Sequence, residues 1–424
     1  MKDNMGRTAR KRRRKGQRSL TCHKNTYETS LFKWALENGL MLRGVTWSSF
    51  ENTGRGLKAT KYFYENDTII SIPRTLLLTF DDVWSTKIKH AMTVLSSKHE
   101  RLTAKSAFSL FLVLEKYKGH ASKYWSYMNS LPSFYTTPSY IPTREAAKMP
   151  EFVRDNIKEH KKSILHQFNN IQTVLFMITQ KLKITKEDVC WAWNTINTRS
   201  IYFHPRNLRC STHINASEID FALAPVLDLL NHDSLAKIDA TFNVKKESYE
   251  IKTFDTYKPN DQIFINYGPH SNRTLFSEYG FFIPNNSHTF IPIALEKVTQ
   301  YFGAGTGIET YRTSSILKKI GVNTNKLGIT KTGFDWSFIM TAHVLQCDIN
   351  TEVDYLSPCT KHCPVTPACV SLLKDMICDH GVKISEMVSC TSSAASVVRG
   401  LIKSEITLMD IIVKNIQDGK CLLE

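Results

Sequence analysis

The chain has 424 residues, of which 42% are hydrophobic and 22% are charged, and its formal net charge is +16. This length and composition fit a globular protein of two or three domains. No apolar stretch at the N-terminus resembles a signal peptide, and the longest apolar run, at residues 107–114, is far shorter than the roughly 20 residues of a membrane span. Ten scattered cysteines are too sparse for a disulfide scaffold. We therefore expect a soluble intracellular protein with reduced thiols and no membrane partner.

Half of the positive excess lies in the first 18 residues, which contain nine Lys or Arg residues and one acidic residue, Asp3. Like charges without apolar partners cannot form a core, so residues 1–24 are predicted to be a basic disordered tail. Three interpretations remain open: a nuclear import signal, a contact to nucleosomal DNA or RNA, or a solvated terminus. The remaining charge is too dispersed to identify a partner.

The first folded segment is predicted at residues 25–80, and the pattern from about Gly44 to Thr79 within it is typical of β-structure. Its sequence Gly54-Arg55-Gly56-Leu57 is typical of a turn. Residues 68–73 are predicted to be a short strand that ends at a proline.

Helical periodicity characterises the next segment, residues 81–200. Large apolar residues recur at intervals of three, four or seven from Ile157 to Leu182, which predicts one buried stripe of a long helix. Thr185 followed by Asp188 is typical of a capping box that starts another helix. This segment is therefore predicted to be a helical insertion.

The pattern returns to β between Phe221 and Phe282, within a predicted segment 201–299. Residues 241–244 and 249–252 are predicted to form a hairpin, and 262–267 a further strand.

From residue 300 to residue 424 the pattern is helical again, most clearly at 336–345 and 395–416. The predicted fold class is therefore α+β, with a β-rich domain split by a helical insertion and followed by an all-α C-terminal domain.

Three short segments contain residues suited to a chemical site. They are Thr53 to Leu57, Asp228 to His232, and Tyr267-Gly268 together with Tyr279-Gly280-Phe281. Each also has an ordinary structural interpretation: a turn with positive φ, an Asn-His pair that caps a helix, and tyrosines that pack at strand ends. Their order and separations along the chain favour a shared site.

This order of glycine turn, helical insertion, D-x-x-N-H and Y-G pair resembles the SET-domain protein methyltransferases, in particular the class typified by the Rubisco large-subunit methyltransferase. Supporting segments are Ile70–Pro73, Tyr127–Pro132, Thr198-Arg199 and Glu278–Phe282. The resemblance covers about residues 44–284. It implies S-adenosylmethionine as the cofactor and a lysine of a histone or another nuclear or cytosolic protein as the acceptor. It also implies that residues 228–232 are threaded under a loop as a pseudoknot, and that residues 300–424 form an α-helical substrate-binding domain.

The resemblance further implies which residues contact the cofactor. The predicted set is Thr53, Gly54, Arg55, Arg199, Asp228, Leu229, Leu230, Asn231, His232, Tyr267, Tyr279, Gly280 and Phe281. Glycines let the main chain approach the cofactor, and aromatic rings stabilise a sulfonium by roughly 0.5 to 2 kcal/mol each. Tyr279 is our first choice for the catalytic hydroxyl that orients the methyl group and the amine, and Tyr267 is the other candidate.

No general base is predicted, because desolvation in a narrow apolar channel lowers the pKa of the substrate lysine and favours the neutral amine. His232 is expected to contact the adenine edge of the cofactor through its main chain, and its side chain is not expected to act as a base. No metal is predicted either, since Cys359, His362, Cys363 and Cys369 fit no strong zinc template.

Two alternatives to a lysine methyltransferase remain open. The same fold could methylate histidine, or a catalytically inactive SET protein could bind chromatin through its basic tail. For the active enzyme we expect a monomer, located in the nucleus and cytosol, that binds a histone tail or another lysine-bearing protein and contacts nucleosomal DNA through the tail.

Overall fold

A computed structural model describes residues 26–97, 102–179, 182–204, 219–303, 315–346 and 366–419. The chain divides into two compact units. The first comprises Met1–Tyr135 and Glu159–Gly268, and the second comprises Thr136–Lys158 and Pro269–Glu424. The predicted basic tail and the residues Cys359, His362 and Cys363 lie outside the described residues. The five segments expected from periodicity stay a prediction.

Two four-stranded sheets dominate the described β-structure of the first unit. The strands are β1 (Met41–Leu42), β2 (Val45–Phe50), β3 (Gly54–Ala59), β4 (Thr68–Pro73), β5 (Ser200–Tyr202), β6 (Phe221–Leu223), β7 (Asn231–His232), β8 (Ile238–Asn243), β9 (Ser248–Thr253) and β10 (Gln262–Ile265). One sheet has the order β1-β4-β9-β8, the other has the order β2-β3-β10-β7, and β5 pairs with β6. The strand predicted at 68–73 and the hairpin of β8 and β9 are confirmed.

The sheet of β2, β3, β10 and β7 positions the first group of candidate site residues. Strands β10 and β7 run parallel, with Phe264 opposite Asn231 and Ile265 opposite His232, whereas β3 and β10 run antiparallel. Leu57 and Ile263 are fully buried and face each other across β3 and β10. Their burial fixes the register, because a slip of one residue would turn each strand's apolar side chains to the other face.

The turn predicted at Gly54 to Leu57 is wrong in part, because both glycines belong to β3. Gly54 is the first residue of β3 and has a φ of +68°, in the left-handed region that favours glycine. The φ of Gly56 lies outside that region. Gly56 is opposite Ser48 of β2 in an ordinary antiparallel pairing. The reason for a glycine at position 56 is therefore space, not backbone conformation.

The predicted helical insertion is confirmed. The helices are α1 (Thr26–Glu37), which precedes it, and α2 (Phe80–Trp84), α3 (Lys87–Ser97), α4 (Ala104–Tyr117), α5 (Trp125–Ser130), α6 (Thr143–Ala146), α7 (Glu151–Ile178) and α8 (Lys186–Arg199). The predicted capping box at the start of α8 is present, since the Thr185 hydroxyl accepts from the Asp188 N–H and the Asp188 carboxylate accepts from the Thr185 N–H. The apolar stripe predicted for α7 included one residue, Leu182, that does not belong to the helix. Leu182 lies beyond the helix, because the chain must leave α7 to reach the cap at Thr185.

The described part of the second unit is mainly helical. Its remaining elements are α9 (Asn272–Tyr279), β11 (Phe290–Pro292), α10 (Leu295–Phe302), β12 (Gly328–Thr330), α11 (Trp336–Gln346), α12 (Thr366–Glu386) and α13 (Ser393–Gln417). The helices expected at 336–345 and 395–416 are confirmed. No helix in the described ranges is long and apolar enough to cross a membrane.

Two predictions for the second unit need correction. The β pattern does not continue to Phe282, because the Ser271 hydroxyl caps the start of α9 by accepting from the Thr274 N–H. The region after residue 300 is not entirely helical, since β12 pairs with β11. Ile329 in β12 is fully buried beside Ile291, so apolar packing stabilises this short pair.

Candidate active site

Two amide side chains, those of Asn231 and Gln262, meet above Gly56. A Cβ atom on Gly56 would lie 2.7 Å from Gln262 Nε2 and 2.8 Å from Asn231 Nδ2. Asn231 Nδ2 donates a hydrogen bond of 2.8 Å to the carbonyl oxygen of Arg55. Thr53 Oγ1 donates one of 3.0 Å to Gln262 Oε1. The predicted glycine segment and the predicted Asn-His segment therefore converge, and only glycine leaves room for both amides.

Gln262 is a residue that the sequence reasoning missed as part of the site. It is the first residue of β10 and is only 3% exposed, yet its Nε2 atom has no hydrogen-bond partner among the described residues. Buried donors are normally paired, so an unpaired one beside a glycine gap is a feature that a bound polar ligand would explain. The only signal in the sequence was a polar residue at the start of an otherwise apolar strand.

The side chain and the main chain of Arg55 contact different residues. Arg55 Nη1 lies 2.9 Å from Glu28 Oε1 and donates to the carbonyl oxygen of Ser130 at 2.7 Å. Glu28 is buried at 2% exposure on α1. The guanidinium group therefore connects β3 to α1 and α5, and it is the carbonyl group of Arg55 that contacts Asn231.

Asp228 is the centre of a second buried network in the first unit. Its Oδ2 atom accepts from Arg199 Nη1 and from Tyr127 Oη, each at 3.0 Å. The side chains of Asp228 and Arg199 are 2% and 16% exposed. Arg199 and Asp228 were predicted to contact the cofactor, and in the structure their side chains pair with each other. Tyr127 was not predicted as a site residue.

The charges in this network determine the protonation of its members. Burial, followed by the negative charge of Asp228, raises the pKa of Tyr127 well above its usual value. Burial, the largest single influence, would lower the pKa of Arg199, but the charges of Asp228, Tyr135 and Tyr127 and the hydrogen bond to Asp228 together raise it. At neutral pH, Tyr127 is therefore a neutral donor and Arg199 a cation, and both hold the Asp228 carboxylate.

The main chain on either side of Asp228 is strained and then firmly held. Val226, fully buried, has a φ of +72°, which is rare for a β-branched residue. A 3₁₀ turn at Leu227–Leu229 follows. Tyr267 Oη donates to the carbonyl oxygen of Leu230 at 2.7 Å, and the Tyr267 ring stacks on the His232 ring at a centroid distance of 5.0 Å. Such strain persists only where surrounding contacts impose it, and it is typical of functional sites.

Of the two tyrosines considered for catalysis, Tyr267 thus has a hydroxyl group that holds the main chain of the Asn-His segment. Tyr279 belongs to the second unit and is the last residue of α9. Its ring centroid lies 6.1 Å from that of Phe281 and 6.0 Å from that of His270. Burial, followed by the negative charge of Glu278, raises the pKa of Tyr279. Its hydroxyl group therefore keeps its proton at neutral pH and can orient a ligand by hydrogen bonding.

The comparison with known protein families decides the identity of this arrangement. Residues 54–268 match the family described as SET domain. The chain belongs to the SET-domain family. SET domain-containing protein 4 of Homo sapiens is 32% identical over 82% of this chain and 79% of that protein. Actin-histidine N-methyltransferase of Gallus gallus is 28% identical over 64% of this chain and 45% of that protein.

Solved structures agree with this assignment. The structure of Rubisco LSMT bound to AdoMet has a TM-score of 0.61 at 16% identity and covers 93% of this chain and 92% of that one. The SET domain of LSMT bound to lysine and AdoHcy has a TM-score of 0.59 at 15% identity, covering 94% and 92%. At these identities the likeness shows the fold. The predicted resemblance and the predicted α+β fold class are confirmed.

The Y-G pair of this SET-domain protein is fixed by steric contacts in the second unit. Gly280 ends α9 with a φ of +77°. A Cβ atom there would lie 2.6 Å from Thr136 Oγ1 and 2.7 Å from the Thr136 carbonyl carbon. The Thr136 hydroxyl donates to the Gly280 carbonyl oxygen at 2.6 Å. Both the backbone conformation and the space therefore require glycine directly after Tyr279.

Proposed function

We propose that this SET-domain protein transfers a methyl group from S-adenosylmethionine to the side-chain nitrogen of a lysine in another protein. Membership of the SET-domain family supports methyl transfer, and similar folds bound to AdoMet or AdoHcy support the cofactor. The observation that carries the proposal is the glycine gap at Gly56, over which Asn231 and Gln262 present buried amide groups.

The residues around Gly56 fit such a cofactor. Its carboxylate, ribose hydroxyls and adenine offer acceptors for side-chain amide donors, and Gln262 Nε2 is a buried donor without a partner in the described structure. The amide of Asn231 is held in place by its hydrogen bond to Arg55. When bound, S-adenosylmethionine supplies a methyl group on a positively charged sulfur. Transfer needs the acceptor nitrogen in line with that group, so a rigid binding site contributes directly to rate.

Among the candidate site residues, none is assigned as a general base. The raised pKa of Tyr279, caused by burial and by Glu278, keeps its hydroxyl group protonated, so it acts as an orienting donor or acceptor. A lysine in an apolar channel loses its proton more readily than in water, because desolvation disfavours the charged form.

Lysine is the first choice of acceptor, because the LSMT structure with a similar fold is bound to lysine. Histidine is the second candidate, since the similar Gallus gallus protein is an actin-histidine N-methyltransferase. Paired peptides that differ only in a lysine or histidine acceptor, incubated with labelled cofactor, distinguish the two. Label on lysine peptides alone supports the proposal, and label confined to histidine peptides contradicts it.

Asn231→Ala tests the cofactor site directly. Loss of one hydrogen bond worth about 1 to 1.5 kcal/mol is expected to weaken S-adenosylmethionine binding roughly tenfold, measured by calorimetry. Asn243→Ala is the matched control, because Asn243 donates a similar amide hydrogen bond to Glu250 in the other sheet. Equal affinities for wild type and Asn231→Ala would contradict the assigned site.

The protein substrate is proposed to be a histone or another nuclear or cytosolic protein. The nine basic residues within 1–18 support nuclear import and contact with nucleosomal DNA. Incubation with labelled cofactor and nuclear extract, followed by mass spectrometry, identifies the acceptor. Deletion of residues 1–18 is expected to lower nuclear accumulation or nucleosome affinity and to preserve activity on short peptides; loss of peptide activity would instead place the tail in the site.

A further inference from the structure

A buried charge cluster in the second unit joins three helices. Glu405 of α13 is 4% exposed and accepts hydrogen bonds from Arg273 Nε to Oε1 at 2.8 Å and from Arg273 Nη2 to Oε2 at 3.0 Å. His380 Nε2 of α12 lies 2.8 Å from the same Oε2 atom. Arg273 is the second residue of α9. The cluster therefore connects α9 to the two longest helices of the described C-terminal region.

The cluster holds Arg273 in one orientation. Burial alone would raise the pKa of Glu405, but the charge of Arg273 and the hydrogen bonds from His380 and Arg273 lower it to about 2. The carboxylate is therefore ionised at neutral pH and both of its oxygens are used. A bidentate arginine–carboxylate pair restricts both position and rotation, unlike a single contact. The guanidinium group also lies 4.1 Å from the ring centroid of Phe152.

The cluster acts on the helix that ends at Tyr279. Helix α9 has only eight residues, so fixing its first turn also fixes its last. The neighbouring Asn272 adds a second attachment, because its Oδ1 accepts from the Ile283 N–H and its Nδ2 donates to the Ile283 carbonyl oxygen, each at 3.0 Å. The chain after Tyr279 is therefore tied back to the start of the helix.

We propose that Arg273 and Glu405 are positioning residues for Tyr279, an inference that rests on the proposed methyl transfer. A buried ion pair is often no more stabilising than a well-packed apolar pair, so stability alone is a weak reason for these two charges. Their geometric restriction is what an apolar pair would lack. The C-terminal helices α12 and α13 then contribute to the rate of methyl transfer by setting the orientation of the tyrosine hydroxyl.

The first test is the double variant Arg273→Met/Glu405→Gln, in which glutamine keeps a partner for His380 and no charge is left buried alone. At saturating cofactor and peptide, kcat is expected to fall roughly tenfold, because small misplacements of reacting groups cost rate. The Kd for S-adenosylmethionine should stay within about twofold, by calorimetry. Lys297→Gln is the matched control, since it removes the exposed pair with Asp379 and should leave kcat unchanged. A wild-type kcat in the double variant would overturn the proposal.

A purely structural role is separated from positioning by adding Tyr279→Phe to the double variant. If Arg273 and Glu405 act through the tyrosine hydroxyl, the triple variant should be no slower than Tyr279→Phe alone. Independent, multiplying losses would overturn the inference. If the double variant fails to fold by circular dichroism, Arg273→Lys alone, which keeps the positive charge beside Glu405 and removes only the bidentate contact, gives the same cycle. If the wild-type protein binds S-adenosylmethionine and methylates peptide, but the losses in kcat of the double variant and of Tyr279→Phe multiply, only this inference is refuted. If the wild-type protein neither binds the cofactor nor methylates peptide, the proposed function is refuted.

Discussion

Replacing Gly56 by alanine is the sharpest test of the candidate cofactor site. The new Cβ atom would lie 2.7 Å from Gln262 Nε2, 2.8 Å from Asn231 Nδ2 and 3.1 Å from Phe50 Cε2. The first two atoms are the ends of side chains and can move, so the fold should survive with a loss of about 2 kcal/mol, within the range for overpacking. The two amides cannot keep their places.

The expected loss in affinity follows from the two hydrogen bonds at risk. These are Asn231 to the Arg55 carbonyl oxygen and Thr53 to Gln262, each worth about 1 kcal/mol. A ligand that binds to both amides would have to return them to their wild-type positions, where they contact the new Cβ atom too closely, and this costs binding free energy. A loss of about 2 kcal/mol corresponds to a roughly 30-fold rise in the Kd for S-adenosylmethionine.

Calorimetry of Gly56→Ala measures the Kd, and thermal unfolding measures the cost to the fold. Gly44→Ala is the matched control in the same unit, because its Cβ atom would crowd the flexible side chain of Lys61 at 2.5 Å from Cγ and its φ of +82° disfavours alanine. Both variants should lose stability, and only Gly56→Ala should lose cofactor affinity. An unchanged Kd in a folded Gly56→Ala protein would refute the placement of the cofactor at this glycine.

Three other perturbations test the remaining groups. Tyr279→Phe should lower kcat by roughly tenfold or more with little change in cofactor Kd, since the proposed role of the hydroxyl group is to orient the methyl group and the amine and not to bind the cofactor; equal rates would remove it from catalysis. Arg199→Met should lower the free energy of unfolding by about 3 to 5 kcal/mol, because the buried Asp228 carboxylate keeps Tyr127 as a donor but loses its cation. Arg199→Met/Asp228→Leu should recover most of this loss in urea unfolding, and a single variant as stable as the wild type would contradict a buried pair. Because the pKa of Glu405 is lowered from 4.5 to about 2, its ionised form should contribute about 3 kcal/mol to the free energy of unfolding above pH 4.5, and this contribution is lost as the pH falls towards 2. The free energy of unfolding of Glu405→Gln should lack this pH dependence. Parallel plots of that free energy against pH for variant and wild type would refute the pairing.

The parts of the fold that could be predicted were those with a local cause. The capping box of Thr185 and Asp188 and the hairpin of β8 and β9 depend on residues close in sequence. The helix α9 was missed because its apolar face is short, and only the cap at Ser271 and the glycine at 280 mark it. The strand β12 was missed because its partner β11 lies far earlier in the chain, with Phe290 opposite Thr330, beyond the reach of any local pattern.

The candidate site shows the same limit. The predicted convergence of the glycine segment with Asn231 is present, but its cause, the parallel pairing of β7 with β10, involves no local signal. Gln262 and Tyr127 could not be found from spacing, because their roles depend on what lies beside them: a glycine gap for Gln262 and a buried carboxylate for Tyr127. Periodicity shows that a residue is buried; it does not show which polar group it meets there.

The two units share a combination of features around their candidate site residues. Each has a glycine that admits a contact no other residue allows, Gly56 in the first and Gly280 in the second. Each also has a buried arginine–carboxylate pair beside the residues of interest, at Asp228 and at Glu405. Apolar packing alone tolerates small sliding movements, whereas a charged pair with directional hydrogen bonds does not. Because in-line methyl transfer depends on orientation more than on acid and base strength, residues that restrict orientation are expected to matter more for its rate than those that only add stability.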